Sequence, residues 1–141
     1  MICSWLTADI IDFTFYVNFL CTNSIFHNIL EVYKCYIRAV WVDPANARHL
    51  IAGPADGVSR YGRIEESYDG GQTWNLAADG MEPAPWAGQM VERFVQTEKG
   101  LFAILSSGEL WLKRLDASSW HRVLPEVNQI KAIAAEEKIP S

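Results

Sequence analysis

The chain has 141 residues, half of them hydrophobic and 21% charged, with a net charge of −5 at pH 7. That length suits one ordinary domain, and the balance is that of a soluble globular protein. The acidic excess argues against a broad nucleic-acid surface, which needs clustered Lys and Arg, so no nucleic-acid partner is expected.

Residues 1–36 differ in composition from the rest of the chain. All three cysteines (Cys3, Cys21 and Cys35) lie there, whereas all nine glycines and all six prolines lie beyond. From Phe13 to Leu30, 18 residues pass without Asp, Glu, Lys or Arg, near the length a helix needs to cross a bilayer. Asn18, Thr22, Asn23, Ser24, His27 and Asn28 interrupt that stretch, and no basic residue precedes it. A membrane partner is therefore not expected. The segment reads instead as one unrelated to the domain beyond it, as a mis-assigned start would be. The cysteines have neither C-x-x-C spacing nor a His at ligand spacing, so they read as free thiols. No Asn-x-Ser/Thr sequon points to secretion, and localisation leans to the cytoplasm.

From Ile37 the chain reads as short strands separated by turn signals. Residues 37–42 form an apolar run stopped by Asp43-Pro44-Ala45-Asn46, and residues 49–53 form a second strand. A polar loop over 54–61 leads to a third strand over 62–67. The turn Asp69–Thr73 leads to a fourth over 74–78. The pattern then recurs, with strands over 91–96, 101–105, 109–113 and 120–124, and 130–134 could open a third unit. Two marks keep step. Gly62 and Gly108 are 46 residues apart, and so are Trp74 and Trp120. Four-stranded units of ~45 residues are the pattern of β-propeller blades.

The turn of the first unit is Ser67-Tyr68-Asp69-Gly70-Gly71-Gln72-Thr73-Trp74. Asp, Ser and Thr side chains can bond nearby backbone N–H groups, and Gly supplies positive φ without Cβ strain. The Trp ring can close the turn by packing beneath it. A calcium-loop reading fails, because Gly71 and Thr73 stand where Asp or Asn would be needed. No metal or cofactor is expected. Ser-x-Asp-x-Gly-x-Thr-Trp resembles the Asp-box, or bacterial neuraminidase repeat, and Ser67, Asp69, Gly71, Thr73 and Trp74 match each defined position. At ~5% each for Ser, Asp, Gly and Thr and ~1% for Trp, chance matches arise on the order of once in ten million starts. Asp116, Ser119 and Trp120 look like a worn second copy, one residue shorter.

The resemblance covers residues 37 to about 135 and is nearest to uncharacterised bacterial propellers carrying the repeat. It implies an all-β fold with about two blades (37–80 and 91–125) plus part of a third (130–141), as a C-terminal piece of a larger propeller. It also implies ligand binding at the end away from the Asp-boxes. Loop arithmetic agrees: Gly53–Gly62 and Asp79–Met90 lie opposite the Asp69–Thr73 turn and are longer than a hairpin needs. Their candidates are Tyr61 and Trp86 as aromatic platforms, with Arg60 or Arg63 as an anion contact.

A protein or small ligand at that end, held by a non-catalytic scaffold, is the expected function; the alternative is a remnant of a sialidase-like or xyloglucanase-like glycoside hydrolase. Three features speak against the enzyme. The Arg-Ile-Pro segment of sialidases is absent, since Arg63-Ile64 is followed by Glu65. Adjacent Glu65 and Glu66 on a strand face opposite ways and cannot pair for glycoside hydrolysis. His27, His49 and His121 read as isolated.

Overall fold

The computed structural model describes residues 36–135. The 13–30 stretch, the three cysteines and His27 lie outside the described residues. Among those described, no helix forms, and none is long and apolar enough to cross a membrane.

Eight strands make two antiparallel meanders. The first comprises β1 (Tyr36–Asp43), β2 (Asn46–Ala55), β3 (Glu65–Ser67) and β4 (Asn75–Leu76). The second comprises β5 (Val91–Thr97), β6 (Gly100–Leu105), β7 (Leu110–Lys113) and β8 (Trp120–Val123). In each sheet the spatial order follows the chain, β1-β2-β3-β4 and β5-β6-β7-β8. Every connection can therefore be short, and two of them are two-residue turns.

Local chemistry explains those turns. After β1, Pro44-Ala45 turns the chain while Asp43 Oδ1 accepts from Ala45 N at 2.8 Å and Asn46 Oδ1 from Arg48 N at 3.1 Å. After β5, Thr97 Oγ1 accepts from Lys99 N at 3.1 Å. The 46-residue step holds at the level of register: Glu66 faces Asn75, and 46 positions further along each strand Leu112 faces His121. It does not extend to the first two strands. The β2–β3 loop is longer than its counterpart, so Ile51, the partner of Glu66, corresponds to Phe102, the partner of Leu112.

The expected third and fourth strands are shortened. Arg63 N still donates to Pro54 O (3.0 Å) and Ala77 N to Ile64 O (2.8 Å), but the continuous ladders cover only Glu65–Ser67 and Asn75–Leu76. The expected opening of a third unit is not a strand. Residues 130–134 lie in irregular backbone, with Ile130 N bonded to Gly108 O at 3.1 Å. A period-two apolar pattern becomes a strand only beside another strand that completes its ladder.

One core joins the two sheets. Ala39, Ile51, Ile64, Ala78, Met81 and Trp86 pack with Val91, Leu101, Ala103, Leu105 and Trp120. Fully burying a Leu or Ile side chain contributes roughly 1.5–3 kcal/mol, so this shared cluster supplies most of what holds the sheets together. They approach most closely along β1 and β5. There Arg38 pairs with Glu92, and Trp41 Nε1 donates to Gln96 Oε1 at 3.0 Å. Gly53 permits the approach: a Cβ at that position would sit 2.6 Å from Val91 Cβ. Further out, Trp120 reaches back to the first sheet through Nε1 to Ala77 O (2.8 Å) and through its backbone N to Asp79 O (2.7 Å).

Candidate functional site

The 67–74 turn is a clamp built around one carboxylate. Asp69 Oδ1 accepts from Ser67 Oγ (2.8 Å), Gln72 N (3.0 Å) and Thr73 N (2.9 Å), while Oδ2 accepts from Thr73 Oγ1 at 2.6 Å. Ser67 Oγ in turn accepts from Gly71 N at 2.9 Å. Trp74 Nε1 donates to Gly71 O at 2.9 Å, and Gly70 N ties the turn to Arg48 O at 2.8 Å. Gly70 and Gly71 have φ of 75° and 90°, a region that favours glycine. The Thr73 hydroxyl and amide, with Ser67 and Gln72, hold the Asp69 carboxyl down at about 2. Each group satisfies another within the turn, so the clamp is structural.

Residues 116–120, expected from the sequence as a worn copy, form no such clamp. Asp116 is largely exposed and, among the described residues, its one ion pair is with Arg114 Nε at 3.5 Å; Ser119 is exposed. The turn is held instead by Ala117 N to Arg114 O at 3.1 Å. Trp120 alone keeps a role, and its role differs from that of Trp74. It is 2% exposed and bonds the neighbouring sheet, whereas half-buried Trp74 bonds its own turn.

At the opposite end the two long loops do meet. Gly62 N donates to Gln89 O (3.0 Å) and Trp86 N to Gly62 O (2.8 Å). A Cβ on Gly62 would lie 2.3 Å from Gln89 O, so only glycine allows this contact. The candidate residues there divide. Trp86 is not an aromatic platform: it is 6% exposed, belongs to the core and donates Nε1 to Met81 O at 2.8 Å. Burying its large ring stabilises the loop more than presenting it to a ligand would. Arg63 is not a free anion contact either. Its Nε bonds Glu65 at 3.0 Å and its Nη1 reaches Asp56 at 3.4 Å. Arg60 and Tyr61 are exposed, and Tyr61 has a positive φ of 52°.

The same end holds a recess that none of those four residues lines. It measures about 320 Å³ and lies between the starts of β1 and β5, the β6–β7 turn and the segment 129–131. Arg38, Glu92, Arg93, Ser106, Ser107 and Lys131 line it with polar side chains, alongside half-buried Ile130 and the deeply buried Ile104 and Leu105. Sequence reasoning missed it because residues 129–131 arrive by a tertiary contact: Ile130 N bonds Gly108 O, and Gln129 sits where a Cβ on Gly108 would have to go.

A second cluster lies at the clamp end, and it corrects the reading of His49 as isolated. His49 Nδ1 is 2.9 Å from Asp43 Oδ2 and Nε2 is 2.6 Å from Glu66 Oε1. Tyr68 stacks on the imidazole at 4.6 Å and 5°, and Trp41 meets it edge-on at 5.3 Å. From the second sheet, Lys113 Nζ lies 3.2 Å from both Glu66 oxygens. Burial raises the Glu66 carboxyl, but His49 and Lys113 draw it below its ordinary value. Asp43 is likewise lowered, by His49 and then by the Ala45 amide. The cluster spans three strands of one sheet and one of the other, which are close only in the fold.

Glu65 and Glu66 do point apart, one to Arg63 and the other to His49 and Lys113. His121 is exposed on β8. Among the described residues, no group of three His, Cys, Asp or Glu is placed to hold a metal ion. Compared with models of protein families, with curated proteins and with solved structures, the chain finds no match.

Proposed function

We propose that residues 36–135 are two neighbouring blades of an Asp-box β-propeller. In this reading the protein is a non-catalytic scaffold that binds a protein or small ligand at the end bearing the 53–62 and 79–90 loops. One observation carries the reading. Two meanders with the same strand order and the same β3–β4 and β7–β8 register pack with their first strands, β1 and β5, side by side. Blades around a propeller axis are related in that way. The complete clamp at residues 67–74 adds support from the turn chemistry.

The carboxylates speak for binding over hydrolysis. Glycoside hydrolysis needs two carboxyls facing one bond, about 5–10 Å apart. Here Glu65 and Glu66 diverge, and Glu92 in the recess is paired with Arg38.

Affinity selection of the full chain against a library of small soluble fragments, followed by amide hydrogen exchange, tests this. Bound fragments should protect residues 53–62, 79–90 and 106–108. Protection confined to 43–46, 68–73 and 114–119 would overturn the reading. So would turnover of aryl glycosides that Glu65→Gln abolishes.

A further inference from the structure

The recess between β1, β5 and the β6–β7 turn has a charge opposite to that of the chain. Its lining carries Arg38, Arg93 and Lys131 against a single carboxylate, Glu92, whereas the whole chain is net −5. Glu92 is held by Arg38 in an ion pair, and Arg38 Nε also bonds Tyr36 at 3.0 Å. Arg93 and Lys131 have no ion-pair partner among the described residues. Both are exposed, Arg93 on β5 and Lys131 on the segment that Gly108 brings in. The hydroxyl of Ser106 accepts from Met90 N at 3.0 Å, which leaves its own proton free to donate.

We propose that this recess binds a small organic oxyanion, a carboxylate or a phosphate monoester, with Arg93 and Lys131 as the charge anchors and Ser106 as a hydroxyl donor. This rests on the scaffold reading, because it names the ligand class of the same loop end. Three features carry it. Two cations without an ion-pair partner among the described residues line one concavity of an acidic chain, where focusing of field lines raises the local concentration of anions. Half-buried Ile130 gives the lining an apolar surface, which suits an organic skeleton better than a bare inorganic ion. The volume of about 320 Å³ falls at the small end of the range for small-molecule sites, roughly 300–1,000 Å³.

The test is an NMR titration of the ¹⁵N-labelled full chain with four probes: benzoate, phenyl phosphate, inorganic phosphate and benzamide, the last a neutral isostere of benzoate. Benzoate or phenyl phosphate should shift the amides of Arg93, Ser106, Ser107 and Lys131. Comparing the two distinguishes a carboxylate site from a phosphate site. Benzamide should leave these amides unmoved, and inorganic phosphate should bind more weakly than phenyl phosphate. Arg93→Ala and Lys131→Ala sit on exposed side chains and should leave the spectrum dispersed; each should weaken binding about tenfold, as expected for loss of a charge-assisted hydrogen bond. Added salt should weaken it further. Equal shifts from benzamide would overturn the anion assignment while leaving a binding scaffold standing. The absence of shifts from both organic anions, or unchanged affinity in the Arg93→Ala/Lys131→Ala double variant, would also overturn it.

Discussion

Asp69→Ala tests whether one carboxylate holds the 67–74 turn. The substitution removes an acceptor used by Ser67 Oγ, Gln72 N, Thr73 N and Thr73 Oγ1, at 2.6–3.0 Å. Lowering the carboxyl from its ordinary 3.8 to about 2 corresponds to at most ~2.5 kcal/mol of preference for the charged form in the fold. The turn stands partly in water, so screening reduces this to about 1–2 kcal/mol. Replacement of a capping Asp by Ala costs typically ~1 kcal/mol, which agrees in scale. Urea unfolding followed by tryptophan fluorescence should therefore give a loss of about 1–2 kcal/mol at pH 7. Asp69→Asn, which keeps one acceptor oxygen, should lose about half as much. Because the folded value is depressed, the contribution is complete above pH ~4 and disappears as the pH falls through about 2. The gap between wild type and Asp69→Ala should close over that window. Asp116→Ala is the internal control: its exposed side chain bonds only Arg114, so less than ~0.5 kcal/mol is expected. A loss of equal size at both aspartates, or a gap at Asp69 that persists unchanged at pH 2, would refute the clamp as the source.

Gly53→Ala places a methyl 2.6 Å from Val91 Cβ and should cost about 1–3 kcal/mol by overpacking; Val91→Ala should recover part of it in the double variant, visible as non-additive midpoints in urea. Lys113→Met removes the cation beside the buried Glu66, leaving His49 Nε2 as a hydrogen-bond partner, and should cost about 2–4 kcal/mol, with Glu66→Gln/Lys113→Met less affected than Lys113→Met alone. The Glu66 carboxyl lies below its ordinary 4.5, so wild type should gain stability from it above that pH and lose the gain on acidification, a dependence that Glu66→Gln should flatten. Trp86→Ala should cost about 3–5 kcal/mol in thermal or urea unfolding, whereas exposed Tyr61→Ala should stay within ~0.5 kcal/mol; the reverse order would contradict the core position of Trp86.

Strand identity was written in local pattern. Apolar runs bounded by turn signals such as Asp43–Asn46, Asp69–Thr73 and Ser106–Gly108 place the eight strands, although β3 and β4 are shorter than the runs around them, because turn chemistry acts over a few residues while ladder length depends on the neighbouring strand. The Ser67–Trp74 clamp was legible for the same reason, since all its hydrogen bonds apart from Gly70 to Arg48 close within the turn. So was the placing of the two long loops at one end, because antiparallel order sends alternate connections to the same end; their contact through Gly62, Trp86 and Gln89 came from the fold.

The sites between the strands were decided only by tertiary structure. A tryptophan flanked by prolines reads equally as platform or core until Met81 O and the second sheet are in place around Trp86. Asp116 matches a motif position, yet the shortened turn gives its carboxylate no backbone amides to bind. His49 meets Glu66 from 17 positions away and, through it, Lys113 a further 47 along the chain, while Lys131 reaches the recess of Arg93 through Gly108. The sequence alone determined elements and turns, whose forces are local. The packing of one sheet on the other determined the sites, since burial and charge pairing depend on neighbours that the chain order does not name.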